Sequence, residues 1–477
     1  MIAAYIREQK RYSQQELRDI FQCSEDGILA IIRKLKEFGV LKAVKASEKQ
    51  KDMSDLIDYD IEVADVELND NEYFYVFTFV GVIVVAERVL KCYPKYLLSA
   101  NSPSKELRQV LKVLEKYSNK EQIVRMFNDS NESSAFNLLA IFLFLLHDYY
   151  EYGLYNNTND IIEVNGSGEI LWDKTINETF AFLSNGRPVY TELQTRRKIN
   201  DDYDYFTQLH KCILTRVSEE MKSADLLDLF EYTEVCLSDE ELDTFGDDEH
   251  ILYRIEQELN TQFNTHKQLL LKTIYAYISR KGSFFDMDSL SLFGTNSFNL
   301  VWETVCSDVM DNQLQRKLCD LRLPVKLRNN YDAKQKLIDL IEKPLWTATG
   351  KTAPDTLIPD LISISGSQFV IFDAKYYNTR LEAGCIPSGQ PGIESVTKQY
   401  LYQLAYQKFI AEHGFEKVKN CFLMPTEKDH IIKCGEVSLS ILSTIGLQDI
   451  KVRFLPASMV YNYYLLGKKI DINLLEL

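Results

Sequence analysis

The segment Leu357–Tyr377, LIPDLISISGSQFVIFDAKYY, contains two apolar runs separated by the tripeptide SGS. The runs are rich in Ile, Val and Phe, and the tripeptide is a turn signal, so the segment predicts a hairpin of two antiparallel strands. Ionisable residues interrupt this pattern: Asp360 opens the first strand, and Asp373 and Lys375 lie inside the second. Because an unpaired buried charge is costly or shifts its pKa, these three side chains need a compensating partner.

Asp373 and Lys375 point to the same face of their strand, about 6–7 Å apart along the chain, because side chains alternate between faces. The antiparallel partner brings Asp360 alongside Asp373. Two adjacent carboxylates repel unless a cation lies between them, and such hard oxygen ligands suit Mg²⁺ or Mn²⁺. Lys375 can then neutralise the site and orient or deprotonate a metal-polarised water that attacks a phosphodiester. A structural salt bridge between Asp373 and Lys375 is the alternative.

The order Pro359-Asp360, then Asp373 thirteen residues after Asp360, then Lys375, resembles the PD-(D/E)xK nucleases. That fold normally adds an acid from an upstream helix. The segment GTNSFNLVWETVCSDVM offers Glu303 on a helix with an apolar side, and a plain surface position is the alternative for this residue. The resemblance therefore implies Asp360, Asp373 and Glu303 as ligands of Mg²⁺ or Mn²⁺.

An amide completes the implied catalytic set. The segment YQLAY, residues 402–406, resembles the segment that follows the lysine in McrC-like nucleases, and this points to Gln403 as an active-site amide. Gln399, one turn earlier on the same helix face, is the competing candidate.

Further segments resemble the LlaJI-type restriction endonucleases, whose nuclease subunits are McrC-like: FGTNSFNLVWETVC, YPKY at 93–96, GEILWDKTIN, PDLIS and FVIFDAKYY. The resemblance covers residues 72–200 in patches and 285–460 more continuously. It implies a metal-dependent endodeoxyribonuclease subunit of a restriction-modification defence system. Such a subunit cleaves double-stranded DNA together with a separate McrB-like AAA+ motor that hydrolyses GTP or ATP. A non-catalytic DNA-binding or scaffold subunit and a stand-alone type II restriction enzyme are the alternatives, and a homodimer is left open.

Residues 1–45 predict three helices and a strand, the layout of a winged helix-turn-helix. Ser13 and Glu16 form a capping box, and a second helix begins at Ser24 and ends at Gly39. The buried face of that helix is expected to consist of Ile28, Ile31, Ile32 and Leu35.

The charge of this first segment is opposite to that of the whole chain. Residues 1–51 hold eleven Lys and Arg against seven Asp and Glu, whereas the full chain of 477 residues has a net charge of −16. A winged helix reads DNA through its second helix or docks proteins. Arg33, Lys34 and Lys36 are the candidate DNA contacts, and both roles stay open. A second basic stretch, residues 311–351, has nine Lys and Arg against five acids.

The expected fold class is α+β, with three domains. They are a winged helix-turn-helix (1–51), a β-rich and then helical middle domain that is the expected motor-docking region (72–220), and a PD-(D/E)xK restriction-endonuclease-like domain (251–477). An acidic linker follows residue 51, Gly81 is expected to be a turn or bulge between two strands, and a long helix runs from about 251 to Gly282. The nuclease sheet is expected to use strands near 360–364, 369–376, 418–424 and 451–456, flanked by helices around 298–310 and 395–412.

Several function classes are disfavoured. The N-terminus has no apolar signal region, and the longest apolar runs are shorter than the ~20 residues of a spanning helix, so no membrane role and a cytoplasmic location are expected. Nine scattered cysteines without a CxxC disfavour a zinc or disulfide scaffold. WTATGKT, residues 346–352, imitates a phosphate-binding loop but has Leu345 where glycine is required, so nucleotide binding is assigned to another chain.

The acidic stretch 225–249 is interpreted as a solvated face or as a DNA-mimicking or partner-facing patch.

Overall fold

The structure is a computed structural model that describes residues 1–45, 73–99, 102–117, 137–200, 204–279, 290–381 and 384–477. The predicted acidic linker and the predicted helix end at Gly282 lie outside these residues. Contacts divide the chain into two compact units, one made of described residues in 135–291 and the other of those in 2–134 together with 292–477. Within the described ranges, no helix combines the length and apolar character needed to cross a bilayer.

The chain has a mixed α and β architecture, which confirms the predicted class. The strands are β1 (Ile2–Arg7), β2 (Arg11–Tyr12), β3 (Leu41–Lys45), β4 (Tyr73–Phe77), β5 (Val80–Val85), β6 (Arg88–Tyr93), β7 (Thr158–Val164), β8 (Glu169–Ile170), β9 (Ala181–Ser184), β10 (Arg187–Tyr190), β11 (Gln194–Asn200), β12 (Leu290–Thr295), β13 (Leu345–Trp346), β14 (Lys351–Thr352), β15 (Leu361–Ser365), β16 (Gln368–Ala374), β17 (Lys417–Thr426), β18 (Ile432–Val437) and β19 (Ile450–Pro456).

The α-helices are α1 (Gln14–Phe21), α2 (Glu25–Glu37), α3 (Ser104–Tyr117), α4 (Leu138–Tyr152), α5 (Trp172–Glu178), α6 (Tyr205–Ser223), α7 (Asp248–Thr261), α8 (Thr265–Ser279), α9 (Phe298–Val309), α10 (Ile393–Glu412), α11 (Ser440–Ser443) and α12 (Ala457–Leu465). Short 3₁₀ turns lie at Leu242–Phe245, Leu318–Asp320, Leu337–Leu340 and Ile472–Leu475.

A five-stranded sheet of order β15-β16-β17-β19-β18 forms the C-terminal core. Its β15–β16 hairpin is antiparallel, and β16, β17 and β19 are parallel. The four predicted strands and the two predicted flanking helices, α9 and α10, are confirmed to within a few residues. Strand β18 was not predicted, since it is half exposed and its pairing with β19 shifts between Lys433 and Glu436.

The two sides of this sheet are covered by different helices. One side packs on α10, where Ile371 and Phe369 of β16 join Tyr402 and Tyr406 in an apolar cluster. On α9, the predicted apolar side is fully buried: Phe298, Val301, Trp302, Val305 and Val309. Trp302 Nε1 donates to the Leu423 carbonyl of β17 at 3.2 Å, which ties α9 to the sheet.

The N-terminal segment has two helices rather than the predicted three. The capping box is present, with Glu16 N donating to Ser13 Oγ at 3.1 Å and Ser13 N donating to the Glu16 carboxylate at 2.8 Å. Ser24 caps α2, whose buried residues are the four that were predicted. Residues Ile2–Arg7, however, form β1, which pairs in parallel with β6. This tertiary pairing overrides the local helix preference of the segment.

The N-terminal strands belong to two sheets. One has the order β1-β6-β5-β12 and the other the order β2-β4-β3. Strands from residues 1–51 therefore pair with strands from the predicted middle domain, and α7 and α8 lie in the 135–291 unit rather than with the C-terminal sheet. The compact units cut across the predicted domain boundaries, which remain a hypothesis about the organisation of the chain.

Gly81 does not form the turn between two strands. The break comes at residues 78–79, and Gly81 lies inside β5 with a φ of +142°. A Cβ at this position would lie 2.1 Å from the Phe293 carbonyl oxygen of β12. Only glycine therefore permits this close approach of the two strands.

The predicted long helix over 251–281 is two helices, α7 and α8. Gln262 is extended, with φ −83° and ψ 124°, and Asn264 Oδ1 accepts from His266 N at 2.9 Å, so a new helix is capped. Asparagine competes with a continuous helix by binding nearby backbone N–H groups in this way.

The segment that imitates a phosphate-binding loop forms the small β13–β14 hairpin.

Candidate functional site

Asp360 and Asp373 lie opposite each other where the β15–β16 hairpin begins and ends. Leu361 pairs with Phe372, so the same register carried one residue further places Asp360 opposite Asp373. Asp360 Oδ2 accepts a hydrogen bond from Ala374 N at 2.8 Å, which holds its carboxyl against the second strand. The hairpin thus brings the two acids together, as its sequence predicts.

Burial and the adjacent Asp373 carboxyl raise the pKa of Asp360 well above its usual value, and Glu303 adds to the rise. Asp373 is itself buried, with 4% of its surface exposed. Bringing like charges together in a poorly solvated place favours the protonated form of one of them. The pair is therefore a place where an added positive charge is strongly favoured.

Lys375 supplies such a charge. Its Nζ lies 3.1 Å from Asp373 Oδ2, and only 21% of its side chain is exposed. Burial alone would lower the pKa of Lys375, but the carboxyls of Asp373 and Asp360 raise it above its usual value. In this arrangement the lysine is held as a cation, which favours a neutralising and orienting role over that of a base.

Glu303 reaches the same place from α9. It is half-buried, which disfavours a plain surface role, and burial raises its pKa while Lys375 opposes the rise. Glu303 and Lys375 line one cavity of about 200 Å³. The helix therefore brings a third carboxyl into the electrostatic environment of the pair.

The donor set fits a hard divalent cation only in part. In the ranges that the structure describes, no three His, Cys, Asp or Glu side chains are gathered closely enough to hold one metal ion. Glu303 is thus not placed as a ready third ligand. The facing carboxyls of Asp360 and Asp373 are oxygen donors in the arrangement that Mg²⁺ or Mn²⁺ accepts, with water filling the other positions.

The two candidate amides have different surroundings. Gln403 Oε1 accepts from Asn420 Nδ2 at 2.7 Å and from Gln448 N at 2.9 Å, so it ties α10 to β17 and to the loop before β19. Gln399 Nε2 instead donates to the Ile371 carbonyl at 2.8 Å, on the strand that carries Asp373. Its Oε1 is buried and has no hydrogen-bond partner among the described residues. These contacts favour Gln399 over Gln403, whose catalytic role remains a prediction.

Two residues near the acids were missed by the sequence reasoning. Burial raises the pKa of Tyr402, and the charges of Asp373 and Asp360 raise it further, so this phenol lies within the electrostatic influence of the pair. Asn312 accepts from Ile362 N at 3.1 Å and donates to the Asp360 carbonyl at 3.2 Å, so it fixes the start of β15. The position of Tyr402, three residues after Gln399 on one helix face, was a usable signal; Asn312 has none in the sequence.

The candidate DNA contacts Arg33, Lys34 and Lys36 form a separate group on α2. Arg33 is exposed, and the other two are half-buried. Helix α2 packs against α1 and β3. The structure therefore places these residues on the N-terminal helix pair.

Comparison with known families now adds to this geometry. A model of the LlaJI restriction endonuclease family matches residues 79–457. The chain belongs to the LlaJI restriction endonuclease family. The family match contains Glu303, Asp360, Asp373 and Lys375, and it begins after α1 and α2.

A curated relative and two solved assemblies are also similar to this LlaJI family member. The present chain is 28% identical over 421 residues to the type II restriction enzyme BsuMI component YdjA of Bacillus subtilis (strain 168), and the match covers 82% of this chain and 81% of the relative. A half-complex of Thermococcus gammatolerans McrB AAA+ hexamers with bound McrC contains a chain with 12% identity and a TM-score of 0.38, with 98% of this chain and 99% of that chain covered. A chain of the McrBC complex of the same organism has 12% identity and a TM-score of 0.24, and the match covers 60% of this chain and 83% of that one. Both structural likenesses are distant.

Proposed function

We propose that this chain is the DNA-cleaving subunit of a restriction-modification defence system, and that its C-terminal sheet carries PD-(D/E)xK nuclease chemistry. The single observation that carries the proposal is the facing of Asp360 and Asp373 with Lys375 Nζ 3.1 Å from Asp373 Oδ2. Membership of the LlaJI restriction endonuclease family supports the reaction class.

The chain's own residues have distinct tasks in this proposal. Asp360 and Asp373 would hold Mg²⁺ or Mn²⁺, which when bound supplies Lewis-acid activation of water and of the phosphate. The Lys375 ammonium stabilises the negative charge that develops on the phosphate during attack. Glu303 supports the site from α9, and an amide of α10, Gln399 or Gln403, positions the attacking water.

The N-terminal segment is proposed to be a winged helix that contacts double-stranded DNA. Two successive helices, α1 and α2, are followed by β3, which pairs antiparallel with β4. Arg33, Lys34 and Lys36 on α2 would contact phosphates, since the second helix of such a fold lies in the major groove. A protein-docking role for this segment is the alternative outcome of the test described in the Discussion.

A separate McrB-like AAA+ motor is proposed as the partner, on the strength of the family resemblance. Within residues 72–220, strongly exposed apolar side chains lie on β9 of the β9–β10 hairpin and directly before it: Phe180 (90%), Phe182 (62%) and Leu183 (79%). Contiguous exposed apolar side chains of this kind mark surfaces that a partner covers. The hairpin is therefore the proposed docking element for the motor.

The test is cleavage of plasmid DNA by the purified chain in Mg²⁺, with and without the AAA+ chain encoded at the same locus and its nucleotide. We expect efficient cutting only with the motor present, and none with Asp373→Ala. Full cleavage by folded Asp373→Ala would end the nuclease assignment. Rapid site-specific cutting by the wild-type chain alone, unchanged by nucleotide, would leave a stand-alone restriction enzyme. DNA binding without any cutting would favour a scaffold subunit.

A further inference from the structure

Lys95 belongs to the YPKY segment that follows β6, and it is a buried lysine with 6% of its surface exposed. Its Nζ lies 3.0 Å from Gln9 Oε1, 4.5 Å from the centre of the Tyr376 ring and 6.0 Å from that of Tyr377. Aromatic faces attract ammonium groups at such distances. Both tyrosines directly follow Lys375 in the chain, so the Lys95 ammonium is held next to the end of the strand that carries the candidate site.

Lys95 and Lys375 line the same cavity of about 200 Å³, together with Glu303 and Asn299 of α9. The cavity is thus built from two distant parts of the sequence that share one compact unit. One part supplies Glu303 and Lys375, and the other supplies Lys95 and Gln9. The candidate site is therefore incomplete without the N-terminal sheets.

A buried acid anchors Lys95 in this position. Glu8 is 1% exposed, and its Oε2 accepts from Lys95 N at 3.1 Å and from the Tyr376 hydroxyl. Its Oε1 is buried and has no hydrogen-bond partner in the described part of the chain. The positive charge of Lys95 offsets part of the cost of burying this carboxyl. The carboxyl in turn ties the Lys95 backbone to Tyr376, one residue beyond Lys375.

The charges around the cavity define the ligand that a second lysine would take. Glu303 lines the cavity and the Asp360–Asp373 pair lies next to Lys375, so negative charge surrounds this place, and Lys375 is already engaged with Asp373 at 3.1 Å. A DNA phosphate approaches acidic side chains more readily where positive charge beyond that of Lys375 and a metal ion lies beside them. We propose that Lys95 is a phosphate-binding residue of the nuclease site that holds a DNA backbone phosphate beside Lys375. This inference rests on the proposed function.

The test measures DNA affinity of the full-length chain in EDTA, with a fluorescein-labelled duplex over a series of salt concentrations. Lys95→Met keeps the aliphatic stem against Tyr376 and removes the charge. We expect weaker binding and a salt dependence whose log–log slope falls by about 0.9, the value for one phosphate that is no longer neutralised. Lys95→Arg should restore the wild-type slope. Lys91→Met is the matched control, because Lys91 is also buried, lies on β6 with its Nζ 5.4 Å from the Tyr5 ring centre, and does not line the cavity.

A wild-type slope for folded Lys95→Met would overturn the inference. If that variant has a lowered melting temperature, the wild-type chain is instead cross-linked to a duplex containing an aldehydic abasic site, with cyanoborohydride as the reductant. The lysine amine condenses with the aldehyde and releases water, and hydride reduces the imine to a stable amine. Adducts on Lys375 but none on Lys95 would also overturn it. If Asp373→Ala does not cleave DNA, a wild-type slope for Lys95→Met or an absence of Lys95 adducts would overturn only the role of Lys95. If Asp373→Ala does cleave DNA, the nuclease proposal itself fails.

Discussion

The backbone N–H of Ala374 donates to Asp360 Oδ2 at 2.8 Å and ties the first acid to the strand that carries the second. The facing of Asp360 and Asp373 is therefore set by strand pairing and does not depend on a bound ion. Burial and the neighbouring Asp373 carboxyl raise the pKa of Asp360 in this folded state. Removing one of these carboxyls should relieve strain in the metal-free protein rather than unfold it.

Lys375→Met is expected to lower the cleavage rate by at least ~10²-fold, because the variant lacks the ammonium group that stabilises the developing charge. Glu303→Ala should cause a milder loss, since Glu303 supports the site from α9. Lys451→Met is the matched control, because Lys451 lies in the same sheet and pairs with Glu436 away from the acids. The measurement is the plasmid cleavage rate of each variant with the motor present. Wild-type rates for folded Lys375→Met would contradict the assigned role.

Asp360→Asn should make the metal-free protein more stable than the wild type as the pH rises. The folded state holds a proton on Asp360 at pH values where the unfolded chain has released it. The stability of the wild type is therefore unaffected by this group below its ordinary pKa of about 4, and it falls as the pH rises from there toward the raised pKa. Thermal midpoints in EDTA from pH 4 to pH 9 measure this effect. Midpoints of the two proteins that stay parallel over the whole range would contradict the raised pKa.

The roles of the Gln399 and Gln403 amides can be distinguished by comparing the stability of variants with their cleavage activity. Gln403→Met should lower the free energy of unfolding by about 1–3 kcal/mol, because Asn420 Nδ2 loses one of its two acceptors and Gln448 N loses its acceptor. Gln399→Met should cost less stability, since it also removes a buried oxygen with no partner in the described residues, yet it should reduce cleavage more. Denaturant unfolding and cleavage assays of both variants test this. A stable but inactive Gln403→Met would restore the prediction made from the sequence.

Divalent ions should stabilise the wild type whether or not they support cleavage. Mg²⁺, Mn²⁺ and Ca²⁺ should all raise the melting temperature, because each adds its binding free energy to the folded state. Only Mg²⁺ and Mn²⁺ should support cutting, since Ca²⁺ accepts looser geometry. Asp373→Ala should show a much smaller shift with every ion. Cutting that persists in EDTA would point to metal-free chemistry.

The site hairpin could be predicted from the sequence because its signals are local. The two apolar runs and the tripeptide turn between them fix the register, and the register fixes which carboxyls meet. The helix face of Glu303 is similarly local, since its apolar neighbours recur at helical spacing. Each of these features needs only a few consecutive residues.

The parts that could not be predicted depend on distant pairings. Residues Ile2–Arg7 form β1 only because β6 offers a parallel partner, and nothing in the segment itself indicates this. The contact of Lys95 with Tyr376 joins residues that are far apart in the chain. The choice between Gln399 and Gln403 depends on which backbone groups each amide meets, because both lie on the buried face of α10.

This topology also changes how the DNA-reading role of the N-terminal segment should be tested. Deleting residues 1–51 would remove β1 from its pairing with β6 and would remove Glu8 from Lys95 and Tyr376. A deletion would therefore disturb the candidate nuclease site as well as the proposed DNA reader. Substitutions on α2 avoid this ambiguity.

Arg33→Ala is expected to weaken DNA binding without changing either the melting temperature or motor binding, because Arg33 is exposed on α2. Removing each phosphate-binding charge should reduce the log–log salt slope by about 0.9, so adding Lys34→Ala and Lys36→Ala should flatten it further. Lys468→Ala, a substitution of an exposed lysine after α12, controls for a general loss of positive charge. Anisotropy titrations with duplex DNA and pull-downs with the motor chain measure the two activities separately. Unchanged DNA binding together with a loss of motor binding would make the helix pair a docking module instead of a DNA reader.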